Sequence, residues 1–530
     1  MSASTTQLDA LLQRATLALN AGAYRELQQL CRQILAIDKD QADAWFFMSI
    51  VAEAGGQPGH ALQFVDRALQ LVPAHPEYLS QKARLHSLLN QFPQARDAAE
   101  RAISTQPQQA IVLDTLGVVF TRLGYHDKAA GLLRQAVQKQ PDNPQFQFNL
   151  GSALQFLGQD QQAREAYTAA IANRPDFSRA YWALSELDKN RTDPGRLDAL
   201  QALHDRNTNS TDDLLYLAHA LSREYEKRQD YDRAFSCLAA AKQRRRSGIN
   251  YAVDDDLALF NAVRELFTHS PPEKASSTPL ASRPLFIVGM PRTGTTLVER
   301  ILGSHSGVLS LGELQDFPRA LKKLAGTRTN RVLDPETVTT AGQKSMAQLG
   351  RSYAALLADR VPQQGWFIDK LPLNFLCAGF IRAALPEARI VCLRRNPLDT
   401  CLSNYRQLFA LNYPYYNYSY DLADTARYYV GFHGLIELWQ ELLGDGFYQL
   451  RYEQLIEEPE PTVRELLDFV GLDWEAGCLD FHRNTAAVAT ASSAQVRQPL
   501  YSSAVARWRK YERHLTPAME VLDAAGLSYR

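Results

Sequence analysis

Residues 285–296 read LFIVGMPRTGTT, and this stretch decides the fold of the second half of the chain. Its first four residues are apolar, as in a buried strand of a parallel sheet. Apolar residues then recur at helical spacing from Leu297 to Leu302. Strand, glycine-containing turn and helix start together predict an anion cradle, because backbone N–H groups and the positive end of the helix dipole face the same point.

The turn differs from a Walker-type nucleotide loop at one position. Gly289 and Gly294 have the spacing of GxxxxGK[ST], but Thr295 stands where that loop requires a lysine. The missing lysine disfavours an enzyme that hydrolyses ATP or GTP. Arg292 supplies the positive charge from inside the turn instead.

A second apolar run, residues 390–393, predicts another buried strand. It leads into the sequence RRNPLDTCLS, in which Ser403 follows Arg395 by eight residues. A guanidinium at a strand end and a hydroxyl on the next helix can bind one phosphate together. The guanidinium contributes charge-assisted, bidentate hydrogen bonds to such a site.

These two segments resemble the cofactor site of the sulfotransferases. PRTGTT is similar to their 5′-phosphosulfate loop, and Arg395 with Ser403 is similar to the pair that grips the 3′-phosphate. The resemblance implies that the sulfuryl donor is PAPS (3′-phosphoadenosine 5′-phosphosulfate), that the product is PAP, and that no metal ion is needed. In the loop it assigns cofactor binding to Pro291, Arg292, Thr293, Gly294, Thr295 and Thr296.

Within that family, the chain from about Pro284 onward resembles the tyrosylprotein sulfotransferases. That group has a glutamate base 21 residues after the loop arginine, here Glu313, and a K-x-P lysine after a strand, here Lys370. The resemblance implies that Glu313 accepts the proton of the attacking hydroxyl. It also implies that Lys370 and Arg292 neutralise the charge that grows on the leaving 5′-phosphate.

The same resemblance implies three more residues near the cofactor. Tyr452 is followed by a glutamate after a late strand, Ser493 opens a Ser-x-Gln-Val segment, and Arg507 precedes a tryptophan. The group has a lysine where Arg507 stands. It also has two arginines that read acidic residues around the target tyrosine, and at those positions Gln315 and Arg319 leave only one arginine.

The first half of the chain repeats with a period of 34 residues. The columns are Pro73, Pro107, Pro141 and Pro175; Ala61, Ala95, Ala129 and Ala163; Ala68, Ala102, Ala136 and Ala170; and the small residues Ser49, Ala83, Gly117 and Gly151. Small residues let two helices approach closely and proline ends a helix, so each repeat predicts a helix pair. The pattern resembles the tetratricopeptide repeat (TPR), with four good repeats over 42–177, a weaker one over 8–40 and a degenerate pair over 214–246.

The predicted fold class is α followed by α/β. It comprises an N-terminal TPR helical solenoid and a P-loop-like α/β sulfotransferase domain with a parallel sheet. The predicted boundaries are 1–190 for the TPR array, 191–270 for a helical extension, 271–284 for a proline-rich linker and 285–530 for the sulfotransferase domain.

A carboxylate base and a repeat array favour a tyrosine of a protein or peptide as the acceptor, held partly in the TPR groove. A phenol has a pKa of about 10 and needs less help from a base than an alkyl alcohol. Sulfation of a glycan or a small-molecule hydroxyl is an alternative, as is a TPR scaffold with an inactive transferase domain.

Two further runs of residues allow contrasting interpretations. The tyrosine-rich run over 412–420 predicts either a wall or lid of the acceptor cleft, or a segment that packs between the catalytic domain and the repeats. The basic run over 242–246, KQRRR, predicts a solvated helix end rather than a nucleic-acid site.

Composition limits the classes of binding partner that the sequence predicts. A formal net charge of −1 gives no general argument for nucleic acid or an anionic membrane. No stretch is apolar for long enough to span a bilayer and the N-terminus lacks a secretory layout, so we expect a cytoplasmic protein with no membrane partner. The six cysteines are scattered, which suggests neither disulfides nor a zinc site. A homodimer is compatible with the sequence.

Overall fold

The computed structural model describes residues 3–188, 191–206, 210–329, 331–411, 413–484, 496, 498–501 and 503–530. The chain divides into two compact units, Met1–Leu187 and Asp188–Arg530. They are called unit 1 and unit 2 below. None of the helices in the described residues is both long enough and apolar enough to cross a membrane.

Unit 1 is an array of helices joined by short turns. Its helices are α1 (Ala3–Asn20), α2 (Tyr24–Ile37), α3 (Ala42–Ala54), α4 (Pro58–Leu71), α5 (Pro76–Leu88), α6 (Phe92–Ser104), α7 (Ala110–Arg122), α8 (His126–Lys139), α9 (Pro144–Phe156), α10 (Asp160–Asn173) and α11 (Ser178–Leu187). The four prolines of the repeat column follow the ends of α4, α6, α8 and α10, as the period predicts.

The small-residue columns mark where paired helices touch. Every alanine of the two alanine columns is fully buried. A Cβ on Gly117 would lie 2.5 Å from Cγ of Leu133, and one on Gly151 would lie 2.6 Å from Cε1 of Tyr167. Because close-packed side chains leave no room for an added methyl group there, these positions require glycine. The predicted TPR-like array is therefore confirmed.

The N-terminal part of unit 2 is helical. Its helices are α12 (Pro194–Asp205), α13 (Thr211–Lys227), α14 (Tyr231–Ser247) and α15 (Val253–His269). Helices α13 and α14 pack on each other, with Ala234 and Ala241 fully buried. Residues 191–270 are called the helical extension below.

A parallel sheet follows, with the order β2-β3-β1-β4-β5. The strands are β1 (Arg283–Gly289), β2 (Val308–Ser310), β3 (Trp366–Lys370), β4 (Arg389–Arg394) and β5 (Phe447–Arg451). Ile287 of β1 is in register with Lys370, and Gly289 is in register with Leu393. The carboxyl ends of β3, β1 and β4 therefore lie side by side, which is where open α/β sheets bind ligands. The predicted α/β class with a parallel sheet is confirmed.

Helices cover both faces of the sheet. They are α16 (Thr295–Leu302), α17 (Asp316–Ala325), α18 (Pro335–Gly342), α19 (Met346–Leu357), α20 (Ala378–Ala384), α21 (Pro397–Tyr405), α22 (Leu422–Leu443), α23 (Tyr452–Glu457), α24 (Pro459–Val470) and α25 (Thr516–Ala524), with short 3₁₀ helices at Pro372–Cys377, Pro414–Tyr420, Gly444–Gly446, Ala476–Cys478, Phe481–Arg483 and Arg507–His514. Leu285 and Ile287 of β1 join the core with α16 and α24, whereas Phe286 and Val288 join the core on the other face. This alternation follows from the period of two along a strand.

Helix α15 of the helical extension belongs to that second core. Phe267 packs edge-on against Phe380 and Trp439, with ring centroids 5.0 Å apart in both pairs. A Cβ on Gly379 would lie 2.4 Å from Cε1 of Phe267, so α20 lacks a side chain where α15 sits. The segment 271–284 also contacts this domain, since the Ala275 N–H donates to the carbonyl of Ala383 at 2.7 Å.

The basic run on α14 is not the solvated helix end that the sequence suggests. Lys242 is fully buried. Arg245 pairs with Asp212 at 3.0 Å, and Arg246 pairs with Asp424 at 3.0 Å. The helical pattern alone could not reveal these partners, because Asp424 lies 178 residues further along the chain.

Candidate active site

The turn between β1 and α16 is tightly folded. Gly289 and Gly294 have φ angles of 146° and 108°, and Arg292 has a φ of 67°. That left-handed backbone costs a non-glycine residue about 1–3 kcal/mol and is concentrated at functional sites. The Thr293 hydroxyl donates to the carbonyl of Met290 at 2.7 Å and closes the turn. The other predicted loop residues, Pro291, Thr295 and Thr296, are buried.

Arg395 lies directly beside this turn. It follows β4, the strand next to β1, and its Nη1 donates to the carbonyl of Arg292 at 3.1 Å. Its Cζ lies 5.0 Å from the ring centroid of Tyr452. The two segments that the sequence assigns to opposite ends of one cofactor thus meet at one end of the sheet.

Helix α21 adds to the contact between the two segments. Asn404 donates from Nδ2 to the carbonyl of Pro291 at 2.8 Å. Asp399 lies 3.8 Å from Nη2 of Arg395. Ser403, the predicted hydroxyl partner of Arg395, is half-buried on this helix next to Asn404. The sequence analysis does not predict Asn404 as a site residue. Its position directly after Ser403 is the sequence feature that could have indicated it.

Tyr452 is packed against the anion turn. It begins α23 directly after β5. A Cβ on Gly294 would lie 2.7 Å from Cδ2 of Tyr452, so the ring rests on the glycine. Burial raises the pKa of the Tyr452 phenol to about 12, and Arg395 opposes this effect. Tyr452 therefore lies beside the anion turn, and its contact with the cofactor stays a prediction.

Arg507 reaches the same region from the C-terminal segment. The backbone N–H groups of Ala506 and Trp508 donate to Asp399 at 2.8 and 2.9 Å, which ties this segment to α21. Arg507 Nη2 lies 3.2 Å from Oε1 of Glu226 on α13. Glu226 is a residue that sequence reasoning missed, because the helical extension gives no signal of contact with the catalytic domain.

The Tyr501 phenol lies within electrostatic range of three arginines of the site. Burial raises the pKa of its phenol, while Arg292, Arg395 and Arg507 all lower it. One hydroxyl therefore experiences the charge of three guanidiniums at once. Ser493, the remaining predicted cofactor residue, lies outside the described residues.

Lys370 lies between two carboxylates at the end of β3. Its Nζ is 2.5 Å from Oε1 of Glu313 and 3.5 Å from Oε2 of Glu299. The lysine side chain is fully buried, whereas 41% of the Glu313 side chain is exposed. Burial is the largest effect on the Lys370 pKa and lowers it, but the two carboxylates together raise it above its usual value. Lys370 therefore stays charged, and Glu313 is the member of the pair that an acceptor can reach.

Glu299 was also missed by sequence reasoning. It lies on α16, is nearly buried, and accepts a hydrogen bond from the Ser310 hydroxyl at 2.7 Å. An acid on the buried side of an apolar helix is the signal that could have found it, because such groups are almost always paired.

The cationic cluster fits an anionic ligand. The Nε atoms of Arg395 and Arg507 are buried without a hydrogen-bond partner among the described residues. Buried donors of this kind are normally satisfied, and a charged one is costly to leave unpaired. Phosphate oxygens would satisfy them, so these residues fit a bisphosphorylated nucleotide. Among the residues that the structure describes, no group of three or more acidic, histidine or cysteine side chains could hold a metal ion.

Comparison with known protein families finds a match within each half of the chain. Residues 284–476 match the sulfotransferase family, and residues 122–187 match the tetratricopeptide repeat. The chain therefore carries a TPR-like helical region and a C-terminal sulfotransferase-family domain.

Individual relatives are similar over part of their length. An uncharacterised protein from Aquifex aeolicus is 32% identical over 401 residues, which are 75% of this chain and 52% of that protein. A protein-tyrosine sulfotransferase from Drosophila melanogaster is 24% identical over 274 residues, 49% of this chain and 50% of that protein. The chain thus spans about half the length of these curated relatives. The sulfotransferase domain of the Synechococcus PCC 7002 olefin synthase matches with 18% identity and a TM-score of 0.34, over 49% of this chain and 99% of that domain.

Proposed function

We propose that this chain, whose residues 284–476 match the sulfotransferase family, transfers a sulfuryl group from PAPS to the hydroxyl of a tyrosine in a protein or peptide. The observation that supports this is the meeting of three strand ends. The anion turn follows β1, Arg395 follows β4 and donates to the carbonyl of Arg292, and Lys370 ends β3 beside Glu313. Cationic groups for two phosphates and a carboxylate for one proton are thus close together.

The cationic residues bind and orient the donor in this proposal. Arg395, Ser403 and Arg507 would hold the 3′-phosphate, and the turn over residues 291–296 would hold the 5′-phosphosulfate. PAPS, when bound, supplies the sulfuryl group on a phosphate that can leave. Positioning and charge neutralisation carry most of the catalysis of such an in-line displacement.

Glu313 acts as the general base in this proposal. A bond forms between the acceptor oxygen and sulfur, while the bond between sulfur and the bridging phosphate oxygen breaks. The proton of the acceptor hydroxyl passes to the exposed Glu313 carboxylate. Lys370 and Arg292 neutralise the negative charge that grows on the leaving phosphate, and PAP is then released.

Unit 1 would hold part of the acceptor protein. On α7, Ile111 and Val118 are exposed to 56% and 42%. Asp114, between them by helical spacing, is buried beneath this surface and accepts hydrogen bonds from Asn149 of α9 at 2.9 and 3.0 Å. Apolar side chains next to fixed polar groups are the kind of surface that recognises an extended peptide.

Radiolabel transfer tests the activity. With ³⁵S-labelled PAPS, the wild-type protein should label a peptide that contains one tyrosine and leave its phenylalanine counterpart unlabelled. Glu313→Gln should bind PAP within about twofold of wild type and lose roughly 10²- to 10⁴-fold in kcat, because a general base contributes about that much. The exposed Glu441→Gln on α22 is the matched control and should behave like wild type.

Each other outcome has a clear meaning. A wild-type protein that binds no PAP in isothermal titration calorimetry would refute the donor. Label on a sugar or a small alcohol, and none on tyrosine, would assign the alternative acceptor. Full turnover in Glu313→Gln would show that this carboxylate is not the base.

A further inference from the structure

The tyrosine-rich segment is held by the helical extension. Lys242 of α14 lies 3.0 Å from the carbonyl oxygen of Ser419 and 3.5 Å from that of Gln407. Arg245, one turn later, donates from Nη2 to the carbonyl of Leu411 at 3.3 Å. Side chains of one helix thus contact both ends and the middle of the segment 407–420. We call these contacts the α14 clamp.

The clamp is built on a buried lysine amine that lies among neutral groups. Lys242 is fully buried, and its Nζ lies 5.0 Å from the ring centroid of Tyr405 and 5.2 Å from that of Tyr420. Its hydrogen-bond acceptors among the described residues are backbone carbonyls, and no ion pair is formed. Burying a lysine without a carboxylate partner destabilises the folded state. A residue of this kind is more readily explained by a positioning role than by stability.

The clamped segment packs against the stretch between α17 and α18 and against helix α21. Tyr415 accepts a hydrogen bond from the N–H of Val332 at 3.0 Å, in the stretch between α17 and α18. Tyr416 stacks on Phe409, with ring centroids 4.3 Å apart. The Tyr418 hydroxyl donates to Oδ1 of Asn404 at 3.0 Å, and Asn404 in turn donates to the anion turn, so the segment borders the candidate active site. After burial, the Glu313 carboxylate is the strongest of the influences that raise the pKa of the Tyr416 phenol, in agreement with this position.

We propose that α14 is part of the acceptor site: Lys242 and Arg245 are positioning residues that fix the segment 407–420 as an aromatic wall beside Glu313. A stacked aromatic pair at this place favours a planar, phenolic acceptor over a flexible aliphatic alcohol. The inference rests on the proposed function, because it assumes that the acceptor approaches Glu313. It gives α14 a role in acceptor selection and none in binding the donor.

Three variants test the clamp in the full-length protein. Lys242→Met keeps the length of the side chain and removes both contacts to the carbonyls. Arg245→Met removes the contact to Leu411 from a side chain that is 22% exposed, and it should fold even if the first variant does not. Gln243→Met, on an exposed neighbouring position of the same helix, is the matched control.

The expected results distinguish an effect on acceptor binding from an effect on donor binding. In Lys242→Met, the amides of residues 407–420 should exchange hydrogen about tenfold faster. KM for a tyrosine-containing peptide should also rise about tenfold, which corresponds to the loss of roughly one hydrogen bond. The dissociation constant for PAP should stay within about twofold of wild type. Arg245→Met should show the same pattern to a smaller extent, and Gln243→Met should match wild type.

Two outcomes would overturn the inference. One is wild-type exchange and wild-type KM in both clamp variants. The other is an equal loss of PAP affinity and of peptide affinity, which would indicate general destabilisation. If the wild-type protein transfers no sulfate to the peptide, the proposed function fails, while the exchange rates still decide whether the clamp holds the segment.

Discussion

Two neighbouring arginines at the carboxyl end of β4 have different environments. Arg394 pairs with Glu437 at 2.7 Å and donates to Gln449 at 2.7 Å. Arg395 instead contacts the anion turn and keeps a buried Nε without a partner among the described residues. Adjacent side chains on a strand point to opposite faces, which explains how one arginine can be structural and the next can face a ligand.

This difference gives a matched pair of variants. Arg395→Ala should weaken PAP binding by roughly 10- to 100-fold, since hydrogen bonds to a charged group contribute about 1.5–3 kcal/mol. Arg395→Lys should recover only part of the affinity, because an ammonium cannot form the bidentate contact. Arg394→Ala should bind PAP like wild type. Titration calorimetry with PAP measures all three, and equal losses in Arg394→Ala and Arg395→Ala would refute the assignment.

Lys242 should make the stability of unit 2 depend on pH. Burial lowers its pKa from 10.5 to about 7. Between pH 7 and pH 10.5 the unfolded chain therefore holds a proton that the folded protein has released, so stability rises with pH over this window. The neighbouring His219, Tyr405 and Tyr420 stay neutral between pH 7 and 9, because the pKa of the histidine is lowered and those of the tyrosines are raised.

Calorimetry can measure this effect. From pH 7 to pH 9, the unfolding temperature of wild type should rise relative to that of Lys242→Met. The free energy of unfolding of wild type should increase by at most about 1.4 kcal/mol per pH unit relative to the variant. Parallel curves for the two proteins over this range would contradict the depressed pKa.

At the scale of elements, the fit of α15 against the sheet domain depends on a missing side chain. Gly379 on α20 leaves the space that the Phe267 ring occupies. Gly379→Ala should destabilise unit 2 by about 1–3 kcal/mol, since overpacking a rigid aromatic contact forces the backbone or the ring to move. The double variant with Phe267→Leu should recover part of that loss. Thermal unfolding measures it, and an unchanged Gly379→Ala would show that α15 is loosely attached.

Sequence patterns predicted those elements whose spacing is local. The 34-residue columns, the turn over 289–294 and the pair Arg395–Ser403 each follow from residues near one another in the chain. The meeting of Arg292 and Arg395 needed one further argument, that parallel strand ends share an edge.

The contacts of the helical extension could not be predicted in this way. Glu226 meets Arg507 and Tyr511, and Lys242 meets Ser419, at separations of 177 to 285 residues. No periodicity connects such distant positions in a single sequence. The pattern of the extension therefore predicts a degenerate repeat and does not predict the partners of Glu226 and Lys242.

At the scale of the whole chain, the two units have separate hydrophobic cores. Unit 1 contains its own cluster of buried residues, whereas the helical extension shares the core of the sheet domain. A fragment of residues 188–530 should therefore unfold cooperatively and bind PAP within about threefold of the full chain. A fragment of residues 284–530 should not fold, because it lacks Phe260, Val263 and Phe267 of α15. Circular dichroism melts and PAP titration decide this, and a stable, PAP-binding shorter fragment would contradict it.

The shared core also sets an order of events during synthesis on the ribosome. Each helix pair of unit 1 contacts its sequence neighbours, so that unit can fold as it emerges. Phe267 of α15 packs on Trp439, which is translated roughly 170 residues later, or about 10–30 s at common elongation rates. During that interval the core around α15 is incomplete, so the nascent chain passes through a stage in which chaperone binding would protect it from aggregation.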